Sequence, residues 1–166
     1  MGFLANYMRV DDATLGALTK LDSDDLVERI EELEEAGAPV YDMDKMWDIL
    51  HFVLTGKSAS EPIDGDPLSE AVVGVHVFDG VDFVAAIQAD ELPRILQSMD
   101  SLDFTALRPR LSLAALRKKN IYPSLAETTA EEEDALWTQI TGEFEGLRSF
   151  YHDTVAEHLN VIVSIY

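Results

Sequence analysis

The sequence runs to 166 residues, the size of one compact domain that buries roughly two thirds of its chain surface on folding. Its 12 Lys and Arg against 32 Asp and Glu give a formal net charge of -20, which weighs against nucleic acid and anionic membranes as partners because both repel such a surface. A hydrophobic fraction of 47% excludes general disorder, and the absence of cysteine excludes disulfides, thiolate zinc sites and thiol nucleophiles.

Taken in chain order, Phe3 to Val10 reads as a strand that ends at the Asp11-Asp12 pair, where a helix starts. From Ser23 to Ala36, the apolar Leu26, Val27, Ile30 and Leu33 form one stripe of an amphipathic helix, capped by Asp22 or Ser23 and ended by Gly37 and Pro39. A second helix is expected over 43–55, then a loop over 56–67 rich in Gly, Pro, Ser and Asp, and a helical turn over 67–73. Residues 75–78 and 81–88 read as two strands joined by a tight Asp79-Gly80 turn. Helices follow over 90–99 and 103–119, the latter bent near Pro109, with a loop at Ile121-Tyr122-Pro123. A stripe from Leu136 to Val155 predicts a long helix over about 129–158 that holds Gly142 and Gly146, each a site for a bend. Val161 to Ile165 closes the chain as a buried strand. With strands at both ends and in the middle, the expected fold is α/β, with α+β as the alternative. It is a single domain over 1–166, its sheet of about four strands joining the two termini and packed with helices.

No basic leader opens the chain and no apolar run approaches the 18 or so residues that span a bilayer, so a cytoplasmic protein without a membrane partner is expected. The acids concentrate in two segments: 22–35 holds eight and a single Arg, and 127–134 holds five and no base. Such runs are read as solvated helix faces or first turns, or as a surface that attracts a basic partner. The cluster Arg108, Arg110, Arg117, Lys118 and Lys119 runs against the overall sign and reads first as a solvated helix face and second as an anion site. Thr55-Gly56-Lys57-Ser58 imitates the end of a phosphate-binding loop, but His51 stands where its first glycine belongs and an apolar helix precedes it, so no nucleotide is expected.

On a helix over 43–55, Met43, Met46, Trp47, Leu50, Val53 and Leu54 share one broad face, leaving a narrow polar stripe of Asp44, Asp48, His51 and Thr55. Asp48 and His51, three positions apart, can hydrogen-bond, so that the carboxylate orients the ring as it would a general base. The same pair can equally satisfy buried backbone groups where a loop crosses the helix. The four histidines, His51, His76, His152 and His158, have no ligand spacing, and neither a metal nor a cofactor is expected.

The run Asp44 to Gly56, the run Asp66 to Gly74, Ile121-Tyr122-Pro123 and the opening Met1-Gly2 before a short strand together resemble the YfbM-like family of bacterial proteins of unknown function. The resemblance extends over the whole chain and implies a three-layer α/β domain with a mixed sheet; it brings no reaction or ligand with it. The acidic 22–35 segment lies outside the matching motifs. Two functions follow from the residues. One is a binding or interaction protein, of the kind that blocks a basic toxin, in which Trp47, Asp48, His51, Thr55 and Asp66, with Tyr122 nearby, line a cleft or fix the 56–67 loop. The other is a small-molecule enzyme, hydrolase or proton-transfer in type, with His51 as general base, and it requires a concave pocket that His51 reaches.

Overall fold

A computed structural model describes residues 2–166. Its five strands are β1 (Ala5–Val10), β2 (Val40–Asp44), β3 (His76–Val77), β4 (Val84–Ile87) and β5 (Asn160–Ile165). They form one sheet in the order β2-β1-β5-β4-β3, in which the first and last strands of the chain pair directly, Ala5 opposite Ile165 and Val10 opposite Asn160. The helices are α1 (Asp12–Leu18), α2 (Ser23–Glu35), α3 (Trp47–Thr55), α4 (Pro67–Val73), α5 (Leu92–Asp100), α6 (Leu113–Lys118) and α7 (Glu133–Ala156).

Strand alternation divides the core into two, as the period of two requires. Tyr7, Ile87, Val161 and Val163 face α3 to α7, while Met8, Val84, Ala86 and Ile162 face α1 and α2. The result is the three-layer α/β arrangement, with helices on both faces of the sheet. All four strand pairings are antiparallel, which corrects the mixed sheet of about four strands: β1 and β4 run the same way, but β5 lies between them, so no parallel ladder forms.

The helix starts follow the capping rules. The side chains of Asp11 and Asp22 accept the Thr14 and Asp25 amides at 2.7 and 3.0 Å, and acids in the first turns favour the helix dipole. Four expectations are corrected. The helix expected from residue 43 does not open there: residues 40–44 pair with β1 as an edge strand, with Met43 buried from that strand and Tyr41 reaching across to Glu143 on α7. The helix therefore begins at Trp47. Residues 76–77 and 84–87 do not form a two-residue hairpin: Gly80 takes positive φ (+77°) in a turn closed by the Val81 amide on the Phe78 carbonyl, and a second turn precedes β4. The basic segment splits into a 3-10 stretch, Phe104–Arg110, that holds Pro109, and α6, which the Ser112 side chain caps at 3.3 Å. The long helix begins as a 3-10 turn at Ala130–Glu132 and then runs unbroken through both glycines to Ala156. Gly146 sits there because a side chain would strike the Tyr41 ring.

Tyr7 from the sheet and Tyr151 from α7 meet edge to face at 6.3 Å and donate to the Val72 and Ala71 carbonyls at 2.6 and 2.5 Å. Those carbonyls belong to the last turn of α4, where the helix has no partner of its own to offer. Burial pushes both phenols well above their ordinary pKa, so both remain donors. This clamp sets the end of α4 against the sheet, and with it the floor of the cleft described next. Among the described residues, no helix is long and apolar enough to cross a membrane.

Candidate functional site

The short helix α3 is apolar on nearly all sides and is buried along most of its length, so its polar residues must find partners inside the protein. Asp48 does so with three hydrogen bonds. One carboxylate oxygen accepts the Ser58 hydroxyl at 2.9 Å and the Ala59 amide at 2.7 Å, and the other accepts the Tyr122 amide at 2.8 Å. One side chain thus ties the 56–67 loop and the 120–123 loop to the same helix turn.

His51, with no exposed surface, is committed in the same way. Its Nδ1 lies 2.7 Å from the Lys57 carbonyl, which can only accept, so that nitrogen carries the proton and donates. The other nitrogen, Nε2, accepts from the Ser69 hydroxyl at 2.8 Å, and the Ser69 oxygen in turn accepts the Ile63 amide at 2.9 Å. Burial lowers the pKa of His51, opposed by the Lys57 carbonyl and by the nearby charges of Asp48 and Asp66, and holds the ring neutral. Ser69 and His51 have the spacing of a nucleophile and its base. Both are sealed from solvent, and their other partners are backbone groups of the 57–63 loop and the Thr55 hydroxyl, 3.2 Å from Nδ1. The pair is a clasp on that loop. The expected Asp48–His51 hydrogen bond is replaced by these contacts, and His51, which a general base would have to present to a pocket, has no exposed surface.

The other polar residues serve the same loop or lie apart from it. The Thr55 hydroxyl donates to the His51 carbonyl at 2.8 Å and accepts the Lys57 amide at 3.1 Å, and the Asp66 side chain caps α4 by accepting the Leu68 amide at 2.9 Å. Asp44 leaves the stripe: it ends β2, exposed, with φ of 56°, and its amide donates to Asp42. Trp47 and Tyr122 stack at 5.4 Å and 24° between planes. Together they hold Phe3, whose carbonyl accepts the Trp47 indole N–H at 2.9 Å and whose amide donates to the Tyr122 hydroxyl at 2.9 Å. A side chain at Gly2 would strike that hydroxyl, so glycine is what lets the N-terminal segment pass.

Loop and sheet enclose a cleft of about 390 Å³. Ala59, Ser60, Pro62 and Asp64 of the loop line it together with Val77, Asp82 and Phe83 of the sheet end. Trp47 and Phe3 close one end, while Gly74 and Ala85 make the floor. Gly74 has φ 86° and ψ 179°, a region open essentially to glycine alone, and a side chain there would stand 2.6 Å from the Ala85 Cβ. Phe3, Val77 and Phe83 are 55%, 61% and 49% exposed, a concentration of uncovered apolar surface around one opening. Among the described residues, two carboxylates and no basic side chain line the cleft. Of the residues singled out in the sequence, only Trp47 lines this cleft; Asp48, His51, Thr55 and Asp66 hold its loop wall or the helix beside it, and Tyr122 stands behind Trp47. Among the described residues, no group of three or more His, Asp or Glu could hold a metal ion.

Residues 1–164 match the family described as Domain of unknown function (DUF1877). The chain belongs to this family. Its similarity to Protein YfbM of Escherichia coli strain K12 is 36% identity over 154 residues, 91% of this chain and 90% of that protein. The crystal structure of a protein of unknown function, YfbM from Escherichia coli, superposes with a TM-score of 0.80 at 29% identity, covering 98% of this chain and 99% of that one. The YfbM-like resemblance of the Asp44–Gly56 and Asp66–Gly74 runs therefore holds along the whole chain. Within the family motif, Asp48, His51 and Ser69 are the residues whose hydrogen bonds shape the loop wall of the cleft.

Proposed function

We propose that this family member is an interaction protein that takes part of a basic partner protein into the cleft between the 57–65 loop and the sheet end, and so blocks or carries that partner. The observation that carries this reading is the uncovered apolar surface of Phe3, Val77 and Phe83 around an opening whose charged side chains, among the described residues, are the carboxylates Asp64 and Asp82. Its volume falls within the range of about 300 to 1,000 Å³ that binding sites occupy. The net charge of -20 supports the same partner class, because long-range attraction speeds the encounter with a basic protein and repels acidic ones. Using the two loops to hold a wall, with every polar atom of Asp48 and His51 committed, supports a preformed site that loses little on binding.

A photo-crosslinking residue placed at Phe83 in cells tests the reading. It should yield a discrete adduct with a cellular protein, and the same residue at exposed Thr138 on α7 should not. Adducts in equal amount from both positions, or none from Phe83, would overturn it.

A further inference from the structure

We infer that the occupant of the cleft is an extended segment in which one large apolar side chain is flanked by lysine or arginine; this rests on the interaction reading above. Three features converge on that chemistry. The walls are apolar at Trp47, Val75, Val77 and Phe83, and the small floor residues Gly74 and Ala85 leave depth for one bulky side chain. Asp64 and Asp82 are both exposed and line the same cleft, and among the described lining residues no cation neutralises them. A segment lying in the cleft with its apolar side chain inward therefore meets two carboxylates in the lining, and a cation next to that side chain is matched by charge. Finally, Val77 belongs to β3, the last strand of the sheet, whose outer edge pairs with no other strand among the described residues. A segment leaving the cleft in extended form meets free backbone groups there, as strand addition requires.

Short peptides on the purified full chain test this, read by NMR shifts of the Trp47 indole and the Phe83 amide. The probes are acetyl-Gly-Lys-Phe-Lys-Gly-amide, the same peptide with Glu for both Lys, and the same peptide with Ala for Phe. The first should bind with a dissociation constant below about 1 mM, as suits one inserted side chain and two exposed ion pairs. The alanine peptide should bind at least about tenfold more weakly, and the glutamate peptide should not bind. The variant Asp64→Asn with Asp82→Asn should weaken the first peptide about fivefold and remove most of its salt dependence. Val77→Ser with Phe83→Ser, both at exposed positions that leave the core intact, should weaken it about tenfold with the salt dependence kept. Equal binding of the acidic peptide, no binding of the basic one, or indifference to the Asn pair would overturn the inference. Such results alongside a persistent Phe83 adduct would leave the interaction reading standing with a different occupant, whereas selective peptide binding without any adduct in cells would count against the interaction reading alone.

Discussion

The Asp48 carboxylate accepts the Tyr122 amide at 2.8 Å across 74 positions of sequence, while its second oxygen holds Ser58 and Ala59. Two loops that share no contact by sequence are thus referred to one turn of α3. Asp48→Ala strands three donors, and Asp48→Asn turns an amide N–H₂ on one of them. We expect either change to lower stability by roughly 2–4 kcal/mol, since buried groups left unpaired cost about 1–3 kcal/mol each and neighbours share the loss. Urea unfolding measures the fall, and hydrogen exchange should quicken at 58–59 and at 122 before it does in the sheet.

The neutral His51 gives a pH dependence of definite sign. Its folded pKa lies below the ordinary 6.5 because burial disfavours the cation. Near and below pH 6.5 the unfolded chain therefore binds the proton that the folded one resists, and stability falls as pH drops from about 6.5 through the folded value, then levels off. Above about 6.5 the contribution is fully present. His51→Gln should be less stable at pH 7.5 by roughly 1–3 kcal/mol, and its difference from the parent should shrink as pH falls. Urea midpoints of both proteins from pH 7.5 to 5 decide it, and a constant difference would refute this assignment.

Gly74 carries a backbone that other residues do not adopt. Gly74→Ala should cost at least about 2 kcal/mol from the φ of 86° and the clash with Ala85 together, a loss that thermal unfolding would register. The same change closes the floor of the cleft, so the shifts that the lysine peptide induces at the Trp47 indole should vanish even where the protein remains folded.

The tyrosine clamp on α4 is a second point of leverage. Tyr7→Phe and Tyr151→Phe each leave one α4 carbonyl unpaired and should each cost about 1 kcal/mol. The rings touch and hold adjacent carbonyls, so the double variant should depart from the sum by a measurable fraction of a kcal/mol. Strict additivity in a double-mutant cycle would show that the two hydroxyls act independently.

The Trp47–Phe3–Tyr122 cluster predicts a local effect instead of a global one. Tyr122→Phe keeps the stack and removes only the acceptor for the Phe3 amide, so stability should change by about 1 kcal/mol or less. Hydrogen exchange at Phe3 should rise at least several-fold, while the amide of Tyr122 itself, held by Asp48, stays protected.

Where a local pattern was complete, the sequence was legible. The stripe of Leu26, Ile30 and Leu33, the Asp22 cap and the branched run at 161–165 are short-range signals, and each produced its element. Residues 40–44 misled because Met43 and Met46 continue the apolar spacing of the following helix. Pairing with β1 and the reach of Tyr41 to Glu143 outweigh that local preference. The site residues divide along the same line. Trp47, Asp48 and His51 stand out by type and spacing and Tyr122 through the family resemblance, whereas Val77, Phe83, Asp64 and Asp82 carry no local mark. Only the fold brings them into the lining of one cleft.

By itself the sequence determined an acidic α/β domain of a recognisable family, with a polar set on a mostly apolar helix that had to find partners. Composition, period and motif are local or additive properties, and they survive without knowledge of what packs where. Only the tertiary structure decided what the polar set does. Asp48 and His51 look like an acid–base pair at spacing three, yet each side chain bonds to whatever groups the fold delivers, and the fold delivers the backbone of two crossing loops. The cleft follows from the same cause. It exists because distant loops, a glycine at φ 86° and an edge strand meet at one end of the sheet, a coincidence of long-range contacts with no counterpart along the chain.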